Sequence, residues 1–255
     1  MARLICPDIF DGCVNPVRKF APFRDKSPSG LGLAPLENFS NGVKAFFTSK
    51  SLGADINKIS NILSIKKEDI FLPIQRHTDK VLVLESDLES KVADAVVTKR
   101  KGILIGVQVA DCVPILLFDR KKSIIGSVHA GWRGTAAQIV KKTIKLMVED
   151  FNSSPDDIII AIGPSIRWNC YYVGYEVKDA VCKATGNGKY HVEKTDGRYC
   201  IDLSSANMLQ ALSMNIPEKN IWSSNECTYC NPDKYYSYRY SNGCVGRQGG
   251  FIGIL

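Results

Sequence analysis

The chain has 255 residues, 45% of them hydrophobic and 23% charged, with a formal net charge of +7. That supplies apolar material for one large core and excludes wholesale disorder. Lys and Arg are spread along the chain rather than gathered in an arm, which argues against nucleic acid as a partner and points the basic balance toward a small anion.

In chain order, residues 1–42 are rich in Pro and Gly and weakly periodic, so they read as an irregular lead-in packed on a domain spanning 43–255. Strands are predicted at Val43–Thr48, Ile70–Ile74, Val81–Leu84, Ala93–Thr98, Ile103–Val109, Val113–Phe118 and Ser123–Val128, all β-branched runs bounded by turn signals. The basic runs Lys99-Arg100-Lys101 and Arg120-Lys121-Lys122 read as hairpin tips. Between Thr135 and Asp150 the period changes: Ala137, Val140, Ile144 and Met147 fall on one face of a predicted helix. A buried strand is expected at Ile158–Ile162, helices at Tyr175–Ala184 and Leu203–Met214, the latter capped by Asp202, and a last strand at Gly250–Leu255. Strands first and helices interspersed later give an α+β single domain with a layered mixed sheet and flanking helices.

The most apolar window, Ile103 to Phe118, is interrupted by Gln108, Asp111 and Pro114 and is too short to span a bilayer, so no membrane partner is expected. Nine scattered cysteines and no signal-peptide pattern predict a cytoplasmic protein with reduced thiols.

Three histidines occur, His77, His129 and His191. His77 and His129 each follow a strand-like run, and Cys112 directly follows another. Ends of neighbouring strands converge on one rim of a sheet, and Gly131 and Gly134 let the backbone turn tightly beside His129. Spacing alone does not make His77, Cys112 and His129 a metal site, since no local zinc-finger pattern links them, and a buried cysteine is commonly a small hydrophobe. Cys227-x-x-Cys230 lacks a second pair of ligands and does not by itself read as a structural zinc site. His191 lies in a polar stretch and reads as a solvated loop residue.

Longer motifs go further. Ala110-Asp111-Cys112-Val113-Pro114-Ile115-Leu116-Leu117 and Val128-His129-Ala130-Gly131-Trp132-Arg133-Gly134 closely resemble the signature of the laccase-domain family, the multicopper polyphenol oxidoreductases, many of them regarded as purine nucleoside phosphorylases with adenosine deaminase activity. Gln75-Arg76-His77-Thr78-Asp79-Lys80-Val81, Ile162-Gly163-Pro164-Ser165-Ile166 and Cys227-Thr228-Tyr229-Cys230-Asn231-Pro232 through Tyr236-Ser237-Tyr238-Arg239 extend the resemblance over residues 43–255. It departs at Phe46-Phe47-Thr48-Ser49-Lys50, where the family has an arginine before a glycine-rich loop and Lys50 is placed to stand in for it, and at Ser165, where the family usually has a cysteine.

The resemblance implies that His77, Cys112 and His129 bind one zinc ion with an open fourth position, as a catalytic site requires. It implies a nucleoside and phosphate as small-molecule partners. Cys112, His129 and Asp111 are then the candidate catalytic residues, and Gln75, Arg133, Arg239 and Lys50 the candidate substrate contacts, a guanidinium fork matching phosphate oxygens. The alternatives are a copper-dependent polyphenol oxidoreductase, a cysteine hydrolase acting on cell-wall precursors through Cys112 and His129, and a non-catalytic binding protein. A multicopper enzyme needs more histidines than this chain has, although a single copper in the same triad remains compatible. A monomer is the expectation for assembly.

Overall fold

A computed structural model describes residues 42–243 and 246–255. The expected lead-in, 1–42, therefore lies almost wholly outside the described residues. The described residues form thirteen strands and five α-helices in the order β1 Val43–Phe47, α1 Ile56–Leu63, β2 Ile70–Phe71, β3 Val81–Val83, β4 Ala95–Thr98, β5 Leu104–Val109, β6 Val113–Asp119, β7 Ile124–Ala130, α2 Trp132–Ala136, α3 Ile139–Glu149, β8 Ile158–Ile162, β9 Tyr172–Val173, α4 Tyr175–Thr185, β10 His191–Glu193, β11 Tyr199–Ile201, α5 Leu203–Leu212, β12 Ile221–Ser223 and β13 Gln248–Ile254.

The strands form two large sheets stacked face to face. One has the order β1-β13-β5-β2, the other β12-β8-β6-β7-β4-β3, and β10-β11-β9 make a small third sheet. The period of two along each strand decides the layering. Phe46, Leu104 and Phe251 turn from the four-stranded sheet toward Ile59 of α1, while their neighbours Phe47, Ile105 and Ile252 turn inward against Leu116, Phe118 and Ile125 of the six-stranded sheet. On the far face of that second sheet, Ile115, Leu117, Ile160 and Ile162 pack against Val140, Ile144 and Met147 of α3 and Leu203 and Ala206 of α5. The result is helix, sheet, sheet, helices, an α+β fold with mixed sheets. Each fully buried Ile, Leu or Phe contributes about 1.5–3 kcal/mol toward holding these layers together.

The predicted strands and the helices α4 and α5 appear near their expected positions, with Asp202 accepting from Ser205 N at the start of α5. Three expectations are corrected. The helix expected over Thr135–Asp150 is two, because Gln138 takes a left-handed backbone (φ 60°) between α2 and α3. Lys99-Arg100-Lys101 does not cap a hairpin: β4 and β5 lie in different sheets, and the segment carries the chain between them. His191 opens strand β10 with its ring edge-on to Tyr190, rather than lying in a loop. α1, capped by Asp55, and the short strands β9 to β12 were not anticipated at all.

The fold rests at one point on a buried charge pair. Arg167 meets Asp202 at 3.0 Å and also donates to the carbonyl of Ser224. Asp202→Ala removes both the α5 cap and the counter-charge of Arg167, so it should destabilise the protein by about 3 kcal/mol. Urea unfolding measures this, and a loss below about 1 kcal/mol would show that the pair is not strongly desolvated.

Candidate active site

Three chain segments bring the two histidines and the cysteine together. β7 runs antiparallel to β6, with His129 opposite Pro114, so it delivers His129 to the rim where β6 begins. Cys112 precedes β6 in the loop Ala110–Cys112, which crosses from β5 in one sheet to β6 in the other; Asp111 turns that loop with φ 83°. His77 sits between β2 and β3 with φ 57°. Cys112 Sγ lies 3.9 Å from His77 Nε2, the histidine rings are 4.8 Å apart at 75°, and the three ligand atoms all lie within 4.8 Å of one another.

Asp94 arranges these groups. Its carboxylate, fully buried, accepts the backbone N–H of Arg76, His77 and Thr78 and the hydroxyl of Thr78, and His129 Nδ1–H donates to it at 2.8 Å. The last bond sets the tautomer of His129 and turns its Nε2 toward Cys112. Burial opposes the charge on Asp94, but the bonds from His129 and Thr78 hold the carboxyl well below the usual range. Burial likewise opposes ionisation of Cys112, but the neighbouring His129 charge and hydrogen bonds from both histidines bring its thiol down to about 6. Burial also disfavours the His129 imidazolium, yet Cys112 and Asp94 raise it to about 9.

This donor set fits a metal ion. Two imidazoles and a thiolate around a tetrahedral zinc put N and S about 3.6 Å apart, so the 3.9 Å observed needs only a small closure. The carboxylate behind His129 is the outer partner that metal-binding histidines commonly have. Gly131 packs closely on the ligands: a Cβ there would stand 3.0 Å from Cys112 Sγ and 3.2 Å from the His77 ring, and would fit only if they gave by a few tenths of an ångström.

The triad lies in a cleft of about 650 Å³, a volume suited to a small organic molecule, with Gln75, Asp111, Arg133, Tyr171 and Arg239 in its walls. Arg133 stacks over Trp132, which packs on the core, and Arg239 stacks over Tyr171. The Arg239 side chain also donates to the carbonyl of Tyr172. Asp111 accepts from Thr228 Oγ1 at 2.6 Å and from Arg239 N at 2.7 Å, so it braces the cleft wall. Gln75 lines the cleft with its amide engaged, donating to Gln108 O and accepting from Gln108 N. Lys50 is not brought to the cleft: its ammonium bonds Pro232 O and faces the Tyr236 ring in an adjoining hollow. Sequence reasoning missed Asp94 and the tyrosine wall. An aspartate opening the apolar run Ala93–Thr98 was the available signal for the first.

Residues 30–255 match the family described as multi-copper polyphenol oxidoreductase laccase. The chain belongs to that family. Among its relatives, a purine nucleoside phosphorylase of Clostridium acetobutylicum is 35% identical over 215 residues, covering 83% of this chain and 87% of its own. A protein named adenosine deaminase RL5, from an unknown prokaryotic organism, is 36% identical over 189 residues, covering 69% of this chain and 72% of its own. The crystal structure of Bacillus licheniformis hypothetical protein YfiH superimposes with a TM-score of 0.83 at 27% identity, covering 92% of this chain and all of that one. Among the described residues, no helix is long and apolar enough to cross a membrane.

Asp94→Asn cannot accept all these hydrogen bonds, and metal affinity should fall about 10–100-fold, read by competition with a chromogenic chelator. Unchanged affinity would remove Asp94 from the centre's support. Protons compete with a metal for these ligands, so affinity should rise with pH until His129 deprotonates near 9, and fall steeply once Cys112 protonates below about 6.

Proposed function

We propose that this enzyme is a zinc-dependent purine nucleoside phosphorylase of the cytoplasm that also deaminates adenosine, with adenosine, inosine and methylthioadenosine as substrates. The observation that carries the reading is a cleft lined both by the His77–Cys112–His129 triad and by guanidinium groups, Arg133 and Arg239 among them. The names carried by relatives at 35% and 36% identity support it. His77, Cys112 and His129 would hold the zinc ion, which when bound supplies Lewis-acid activation of water.

In phosphorolysis, the C1′–N9 bond of the nucleoside breaks, C1′ bonds to a phosphate oxygen, and the purine leaves with a proton. Arg133 and Arg239 hold the phosphate dianion and keep it oriented. Tyr171 keeps its proton at neutral pH, because burial and the negative charges of Cys112 and Asp111 push its phenol up to about 12, so it offers a hydroxyl for hydrogen bonding there and not a phenolate base. Asp111, through its bond to Arg239 N, holds the arginine segment against the cleft. In deamination, water replaces the 6-amino group and ammonia leaves. Lys50, outside the cleft, is assigned no substrate contact.

A multicopper phenol oxidase is disfavoured by the histidines: His77 and His129 share one centre, and the third, His191, pairs in β10. A cysteine hydrolase has one observation in its favour, the thiolate-prone Cys112 beside His129. Metal analysis of protein purified without added copper separates the three, bound zinc that Cys112→Ala loses favouring the first.

Cys112→Ala and His129→Ala should each lose the zinc of the triad and both activities, whereas His191→Ala should keep them. Wild-type protein should convert adenosine to adenine and ribose 1-phosphate when phosphate is present, and slowly to inosine without it, followed by chromatography. Arg239→Ala should raise the phosphate requirement roughly ten- to a hundredfold, the loss of a charge-assisted hydrogen bond worth about 1.5–3 kcal/mol, with deamination changed much less. Absence of both products from zinc-loaded protein would overturn the purine reading; equal loss of both activities in the variant would reject only the placing of Arg239.

A further inference from the structure

A second group of ligand atoms lies outside the triad. Cys170, Cys227 and Cys230 have their sulfur atoms within 4.8 Å of one another, with Cys170 Sγ 3.2 Å from Cys230 Sγ. Two separate turns build the cluster. One is Arg167–Tyr171, where Cys170 N and Tyr171 N both donate to Arg167 O. The other is Cys227–Asn231, closed by Asn231 N and Nδ2 donating to Cys227 O. The turns are tied together by the Ser165–Cys227 bridge and by Thr228 N donating to Ser165 O. Tyr171, Tyr229 and Ile166 pack around the buried pair Cys170 and Cys227, leaving Cys230 as the exposed member.

Cys227 sits where a thiolate is favoured. Its Sγ accepts the backbone N–H of Arg167 at 3.4 Å and is also bonded by the N–H groups of Tyr229 and Cys230, two and three residues on. A C-x-x-C turn that points its backbone donors back at its first sulfur is built to carry negative charge on that atom. Consistent with this, the Cys170 hydrogen bond, against the opposing effect of burial, helps bring the Cys227 thiol down to about 6. Cys170 and Cys227 carry thiols in this structure, while Cys230 is disulfide-bonded.

We propose that Cys170, Cys227 and Cys230, once the Cys230 disulfide is reduced, form a second metal site that takes one thiophilic cation of the zinc class. The chemistry of the donors selects the cation, since three thiolates favour a soft or borderline ion over magnesium or calcium. The size is right as well: sulfurs around a tetrahedral zinc lie about 3.8 Å apart, inside the spread seen here. Cys230 faces outward, so the fourth position opens to solvent on its side. Opening the site requires a small-molecule thiol or dithiol as reductant; two electrons and two protons convert the disulfide to two thiols, and the cation then displaces the thiol protons. The bound ion would join the 166–170 and 227–230 turns, and so fix three parts of the cleft wall: Tyr171 beside Cys170, and Asp111 and Arg239 through Thr228.

The test is zinc per chain in full-length protein loaded with excess zinc and desalted. Protein kept under a thiol reductant should hold two zinc ions. The same protein oxidised before loading should hold one. Cys227→Ser should hold one under reductant, and Cys112→Ala should also hold one, so each variant removes a different ion. If Cys227→Ser does not fold, alkylation of wild-type protein by iodoacetamide replaces it: zinc should protect Cys170, Cys227 and Cys230, read by peptide mass spectrometry. One zinc in the reduced wild type, or alkylation of the three cysteines unaffected by zinc, overturns the proposal.

Discussion

The carboxylate of Asp94 holds both sides of the candidate centre in place. It is fully buried, and a buried charge is tolerated only when its lone pairs are used. Here they are used on the chain that carries His77 and on the ring of His129 at once. The left-handed backbone at His77, uncommon for a residue with a side chain, is secured by three successive N–H groups bonding the same carboxylate. The strain of one segment and the orientation of the other thus share a single counterpart. The other features of the centre, from the His129 tautomer to the acidity of Cys112, depend on that arrangement.

The two stacked sheets explain why the third ligand arrives where it does. β5 and β6 are neighbours in sequence but belong to different sheets, so the short loop between them must cross the gap between the layers at the rim. Cys112 lies at the end of that crossing, beside the residue on β7 that pairs with the second position of β6. Asp111, turning the loop with positive φ, is at the same time the acceptor for Thr228 and for the backbone of Arg239. The cleft wall and the metal ligands are therefore attached to the same few residues.

Much of this was legible in the sequence, and the reasons are local. The continuous apolar run Val113–Phe118 marks a strand buried on both faces, and His77, Cys112 and His129 stand in motifs long enough to be specific. What escaped was whatever depends on contacts distant in sequence. Nothing in Ala93-Asp94-Ala95 says that its aspartate receives a histidine 35 residues away. Nothing near Cys227 and Cys230 announces Cys170, 60 residues before the latter, which is why a lone C-x-x-C looked incomplete. Lys50 was placed by analogy with a missing arginine, and its ammonium bonds a carbonyl in another hollow instead. The break at Gln138 was hidden because a left-handed residue leaves the apolar spacing on either side intact.

Gly131 gives the centre a front and a back. Its Cα hydrogen faces Cys112 Sγ and the His77 ring so closely that a methyl group would fit only if they shifted by a few tenths of an ångström, and α2 begins directly behind it. The bare backbone therefore works as a wall in contact with two of the ligands, while His129 is sealed in β7. The three ligand atoms are reached from the cleft that they line. A reactant entering it shares the cleft with Arg133 and Arg239, whose positive charge favours anions.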